Sequence, residues 1–282
     1  MEQQRGVTHD WSEHFVLWLV CRSPTRRADV CVHFHPCFSR QTHPNLTVRR
    51  AVREKWENRI KENSHLFNGS KFRLAGVKSL ASRHKVQLHL GVTDYASFLG
   101  THWNDDLHHR LIKDGKYWMD DGRAFMADPL GVGAICVTKD NMIVFIRRSK
   151  HVAEYPGYLD VPGGHPEPAR IGIVCDTKWE FPDSSTLFHE VSHKITEEIF
   201  NSILDEVHSE INIPLKCLDD PLLLGICRQT PSAGRPSAVF LIRCDLTSRE
   251  IVDLYEQGPT EQFESTDVVF YPATDPLDPT LT

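Results

Sequence analysis

None of the eight cysteines forms a C-x-x-C pair; they stand scattered at 21, 31, 37, 136, 175, 217, 227 and 244. A zinc site and a disulfide framework are therefore not expected, and reduced thiols in a cytoplasmic or nuclear compartment fit this usage. A long apolar run is also missing. The stretch at residues 15–21 falls far short of the roughly 20 residues a spanning helix needs, so no membrane partner is expected. The opening "MEQQRGVTHD" is polar and lacks a secretory pattern. There is no basic excess either: 38 acidic residues face 32 basic ones, for a formal charge of -6, which argues against a general nucleic-acid binder. No internal repeat or low-complexity tract is visible.

What the chain does have is apolar mass. Hydrophobic residues make up 40% of 282 positions, with 14 Phe and 6 Trp, enough for a sizeable core. Residues 15–21 and 30–34 read as strands separated by the turn-rich "RSPTRRAD". Thr47 introduces a helix with Val48, Val52, Trp56 and Ile60 along one face. Residues 72–95 read as two strands around a loop, and 95–127 are mixed. A second organisation starts near residue 128, with strands at 132–137 and 142–147, a short strand in "YLDVPGG", and an irregular stretch at 166–186. From 187 to 211 a long helix is expected, because Val191, Ile195, Ile199, Ile203, Val207 and Ile211 recur every fourth residue. Strands in "PLLLGICRQ" and "PSAVFLIRC" follow. A short helix capped by Thr247 or Ser248 and a last strand, "TDVVFYP", close the pattern.

The stretch "YLDVPGGHPEP" poses the chemical question. Adjacent glycines permit a sharp turn or a close approach of backbone to another group. The loop is thus either a plain hairpin turn or a device that brings Gly163, Gly164, His165 and Glu167 up to a metal or phosphate. Glu206 and Glu210 lie four apart on the long helix, so their carboxylates share a side. Like charges at this spacing cost a few tenths of a kcal/mol, and a hard cation such as Mg²⁺ would turn that repulsion into coordination. Arg147 and Arg148 alternate along a strand, so only one can face a given site. The histidines of "VHFHP" and "DLHHR" lack a third ligand at metal spacing and read as surface or core residues.

The order strand, "GGHPEP", loop, glutamate-bearing helix resembles the Nudix hydrolase family, whose box runs G-x5-E-x7-R-E-U-x-E-E-x-G-U with U apolar. "FLGTHW", "ADPLGVGA", "VPGGHPEP", "PLLLGI" and "SAGRPSA" are similar, in order, to members that act on UDP-glucose and UDP-galactose. The likeness spans about residues 45–272. It implies an α/β fold, a Nudix α/β/α sandwich at 128–282, with a smaller α+β substrate-recognition domain at 1–127. It implies Mg²⁺-dependent hydrolysis of a nucleotide sugar to UMP and sugar 1-phosphate, with Glu206 and Glu210 as catalytic and metal-binding residues. Two rivals stand beside this: a pyrophosphatase for another nucleoside diphosphate, and a non-catalytic module that senses nucleotide sugars. An insertion of about 27 residues separates Gly164 from the helix. Asp205 replaces the Arg of the box, Ser209 one glutamate, and Asn212 the closing Gly; Glu197 and Glu198 both fit the earlier glutamate.

By the same resemblance Arg148 contacts phosphate or ribose, Ala153 offers backbone, and His165 and Glu167 line the loop. Phe67 and Tyr95 stack on uracil, with core packing as the alternative. Asp160 either binds a sugar hydroxyl or holds its loop. Glu264 sits where many members carry an extra acid, though a plain loop charge is the favoured reading. The tail, with Pro272, Pro276 and Pro279, lacks a helical pattern. The expectation is a product truncated before the covering helix, poorly soluble and weakly active.

Overall fold

The computed structural model describes residues 15–64, 66–80, 85–150, 155–173 and 185–273. In chain order the strands are β1 (Phe15–Thr25), β2 (Val30–Phe34), β3 (Ser70–Leu80), β4 (Lys85–Asp94), β5 (Gly131–Val137), β6 (Met142–Arg148), β7 (Leu159–Asp160), β8 (Gly163–Gly164), β9 (Leu222–Gln229), β10 (Arg235–Arg243) and β11 (Ser265–Pro272). The helices are α1 (Leu46–Glu62), α2 (Tyr95–His102), α3 (Asp105–Met119), α4 (Ser185–Ile211) and α5 (Ser248–Glu256).

Two sheets form. The larger has the order β1-β9-β10-β5-β6-β11, with β7 added to β6 and β8 to β5; the smaller is β2-β4-β3. β10 and β5 run parallel, as do β2 and β4. β1 precedes residue 127 yet forms the outermost strand of the larger sheet, antiparallel to β9. The larger sheet therefore takes one strand from before residue 127. β1 also runs on through Thr25 into the stretch expected to be a turn, with register irregularities after Leu17 and Val20. Residues 95–127 resolve into α2 and α3.

α4 supplies the apolar stripe that its four-residue repeat predicts. Ile195, Ile199, Ile203, Val207 and Ile211 are essentially inaccessible. They join one core with Val32, Phe34 and Leu74 of the small sheet and Ala134, Ala238 and Phe240 of the large one. Fully burying such a side chain stabilises by about 1.5–3 kcal/mol, so this helix ties the two sheets together. A second cluster, Val48, Leu107, Leu111, Phe125 and Met126, fixes α1 against α3.

Helix ends follow capping chemistry. Asn45, not Thr47, caps α1: its Oδ1 accepts the N–H groups of Thr47 at 2.8 Å and Val48 at 3.3 Å. Thr247 caps α5 in a reciprocal capping box with Glu250.

Asp128 sits fully buried where the chain enters β5. Arg123 grips its carboxylate through Nε at 2.9 Å and through Nη2, and Arg228 approaches to 3.5 Å. His102 donates from Nδ1 to the Ser232 carbonyl at 2.8 Å and accepts the Asp128 N–H at Nε2, 3.0 Å away. Burial depresses His102 below its ordinary range, so the ring is neutral. Burial alone would raise the Asp128 carboxyl, but the charge and hydrogen bond of Arg123 hold it well below the usual range.

Candidate active site

The "VPGG" segment does not make a hairpin turn. β7 pairs with β6, and after Pro162 the chain crosses to β5, where Gly163 and Gly164 pair with Gly133 and Val132. Neither glycine has a positive φ; space requires both. A Cβ on Gly163 would lie 2.3 Å from the Val132 carbonyl oxygen, and one on Gly164 would lie 1.9 Å from Oε1 of Glu206. The pair exists so that strand and helix can approach.

Alternate N–H groups of this segment then reach glutamates on α4. Gly163 donates to Glu210 Oε2 at 2.9 Å, His165 to Glu206, and Glu167 to Glu198 Oε1 at 3.0 Å. Two extended residues advance about 6.6 Å and four helical residues about 6 Å. That match lets the step from Gly163 to His165 follow the step from Glu210 back to Glu206.

A cleft of about 450 Å³ opens over this ladder. Of the residues singled out in the sequence, Glu206, His165, Glu167, Arg148, Asp160 and Tyr95 line it. Arg148 stands 3.4 Å from Asp160 Oδ2, while its neighbour Arg147 points out toward the Gly157 carbonyl. Asp160 also accepts the Val161 N–H at 2.9 Å, so it does hold its loop. Glu210, 1% exposed, is not among the lining residues.

Of the lining residues that the sequence reading did not single out, four shape the site's charge and hydrogen bonds. Lys71 of β3 pairs with Glu167 at 3.0 Å. Arg235 donates to His165 Nε2 at 3.1 Å. Burial, with Arg235 and Lys71 nearby, holds His165 well below its ordinary value, so the ring is neutral and its proton sits on Nδ1. Gln229 accepts from Arg235. Glu261 reaches in from the loop after α5, its N–H bonded to the Ser209 carbonyl at 2.9 Å. The Ser209 side chain bonds to the Glu261 carboxylate, so a loop acid occupies the surroundings of the box position that lacks one. Arg235 lies in the block "SAGRPSA", though its role is not legible there; no local pattern marks Lys71, Gln229 or Glu261.

Ligand oxygens of Glu210, Glu261 and Glu264 lie within 4.8 Å of one another. Glu264 therefore belongs to a cluster rather than standing as a plain loop charge. Burial, and then Glu261 and Glu264, push the Glu206 carboxyl up to about 7. Burial raises Glu210 well above its ordinary value. Crowded carboxylates beside a backbone cleared of side chains at Gly164 suit a hard divalent ion.

Other expectations fall elsewhere. Glu197 turns away to Arg27, at 2.5 Å, whereas Glu198 faces the loop and is 6% exposed; the structure thus separates these adjacent acids. Phe67 is 76% exposed and does not line the cleft. Tyr95 belongs to an aromatic group with Trp56 and Phe98, rings 6.0 and 6.2 Å away. Ala153 lies outside the described residues.

The chain is 40% identical over 245 residues to the mouse uridine diphosphate glucose pyrophosphatase NUDT22, covering 86% of this chain and 75% of that protein. With the human NUDT22 it shares 42% identity over 224 residues, 78% and 71% of the two chains. With Nudix hydrolase 9 of Arabidopsis thaliana it shares 34% over 259 residues, 89% and 81%. The chain belongs to the Nudix hydrolase family. No family model matches it. A MutT protein from Methanosarcina mazei and the DR0079 protein of Deinococcus radiodurans each align with 51% of the chain and with 75% and 68% of their own. Their identities are 14% and 16%, both with a TM-score of 0.30, so the assignment rests on the relatives. No described helix is long and apolar enough to cross a membrane.

Proposed function

We propose that this Nudix hydrolase splits the diphosphate of UDP-glucose or UDP-galactose, with Mg²⁺ and water, to UMP and sugar 1-phosphate. The observation that carries the reading is the pairing, in one cleft, of a carboxylate cluster with three cations, Lys71, Arg148 and Arg235. That is what a diphosphate with a divalent counter-ion requires. The names of the mammalian relatives direct the choice of substrate.

Glu206 and Glu210 are the proposed metal ligands, joined by Glu261 and Glu264. The bound ion would supply Lewis-acid polarisation of the phosphate and a more acidic water. The chain's own groups do the rest. The water oxygen bonds to phosphorus, the bridging P–O bond breaks, and a cluster carboxylate takes the water proton. Arg148 and Arg235 face the phosphates. Tyr95 offers a ring to uracil, Asp160 an acceptor for sugar hydroxyls, and His165 its Nδ1–H as a neutral donor.

A second reading, binding without turnover, draws on the box departures Asp205, Ser209 and Asn212. A panel of nucleoside diphosphate compounds with Mg²⁺, followed by chromatography, separates them. UMP released fastest from UDP-sugars supports hydrolysis; tight UDP-sugar binding without UMP supports the sensor.

A further inference from the structure

The ladder between the glycine loop and α4 has one more rung, made by side chains. Arg170 stands on a short 3₁₀ turn, Pro168–Ile171. That turn is anchored by buried Pro168 and by Ile171 and Ile173 packed on the main core. Its Nη2 lies 2.5 Å from Asp205 Oδ2, and its Nε lies 3.9 Å from Glu198 Oε2. Glu198 and Asp205 are seven residues apart, two helical turns, so they lie on one stripe of α4 and repel each other. The other oxygen of Glu198 accepts the Glu167 N–H at 3.0 Å. One guanidinium thus bridges both acids, and one of them holds the loop that carries His165 and Glu167.

We propose that Arg170 is a positioning residue that fixes the register of the glycine loop on α4. In this way it supplies from the loop the positive charge that the helix lacks at Asp205. The pair works by opposite sign, not by which element carries which sign. A charge at position 205 of either sign is tolerated when position 170 carries the other, because a guanidinium on the helix can still reach Glu198 along the same stripe. Asp205 is therefore half of a relocated ion pair rather than a lesion in the box. This rests on the hydrolytic reading only for its kinetic arm.

The test compares wild type with Arg170→Ala, Arg170→Lys, Asp205→Ala and the double exchange Arg170→Asp with Asp205→Arg. The first readout is deuterium exchange in the metal-free protein without substrate. Arg170→Ala and Asp205→Ala should speed exchange at residues 163–168 by about tenfold, an opening worth about 1.4 kcal/mol. Arg170→Lys should give an intermediate value, since lysine keeps charge but not the two-pronged geometry. The double exchange should return to within about threefold of wild type, where the single variants do not. The second readout is kinetic, with UDP-glucose and Mg²⁺. Arg170→Ala should lower kcat about tenfold and leave KM within about twofold. The melting temperature should fall by only a few degrees, since a half-exposed ion pair adds little to global stability. Unchanged exchange at 163–168 in Arg170→Ala, or a double variant no better than Arg170→Ala, overturns the proposal. If wild type fails to hydrolyse UDP-glucose while exchange responds as expected, the substrate reading falls and the positioning role stands.

Discussion

Asp128 and the pair Glu206 and Glu210 are all acids withdrawn from water, yet their surroundings are opposite. Asp128 has two arginines on its carboxylate, and its carboxyl is held low. Glu206 and Glu210 have other carboxylates nearby, accept the backbone N–H groups of His165 and Gly163, and have carboxyls pushed high despite Lys71 and Arg148 in the vicinity. A buried charge that is fully answered by the protein serves the fold. One left unanswered costs stability and is kept for what it will bind.

The sharpest way to break this contrast is to neutralise both sites. Glu206→Gln or Glu210→Gln should lower kcat by about 10²–10⁴, the range for a lost acid–base group. The metal-free variants should melt no lower than wild type, because a repelled carboxylate has been removed. A lowered melting temperature together with near-normal turnover would show that these acids are structural. Asp128→Ala should do the reverse, leaving arginines without their partner. Urea unfolding should show a loss of about 3–5 kcal/mol, with turnover per folded molecule retained. A loss under about 1 kcal/mol would remove the distinction, since that is what an exposed pair contributes.

Acidity sharpens the comparison next. A carboxyl raised on folding supports the folded state fully below its unfolded pKa and loses that support as pH rises through the folded value. For Glu206 the window runs from about 4.5 to about 7. Between pH 5 and 8 the metal-free protein should therefore lose on the order of 3 kcal/mol from this group. Glu210 acts in the same direction. His165, depressed on folding, works oppositely and withdraws support as pH falls below about 6.5. Mg²⁺ should raise the melting temperature more at pH 8 than at pH 5; equal protection at both would contradict the site. The smallest effect concerns the aromatics. Tyr95→Ala should weaken UDP binding by about 1–3 kcal/mol by calorimetry, and exposed Phe67→Ala by less than Tyr95→Ala. Equal losses would show that Phe67 closes over the base.

How far the sequence carries depends on what each feature needs. The stripe from Ile195 to Ile211 and the side shared by Glu206 and Glu210 follow from helical period alone. Glu197 and Glu198 could not be separated, because adjacent helical residues differ by about 100° and the box pattern crosses an insertion. Lys71, Arg235 and Glu261 come from a strand, another strand and a loop that only tertiary packing brings together. The glycine pair was legible as a close approach; what approaches it, the Val132 carbonyl and the Glu206 carboxylate, was not. Asp205 reads as a loss until Arg170 appears beside it.

The placement of β1 bears on how the chain is made. Its partner is β9, with Phe15 opposite Gln229. A ribosome adding about 5–20 residues per second releases β1 long before β9 exists. During that interval the apolar strand Phe15–Thr25 has no edge to join, while β2, β3 and β4 can already assemble. Closure of the large sheet must await the far end of the chain, and pairings of such long range are slow to form. The molecule thus carries, early in its synthesis, a strand that invites a holding chaperone or a wrong neighbour until the last third of the polypeptide emerges.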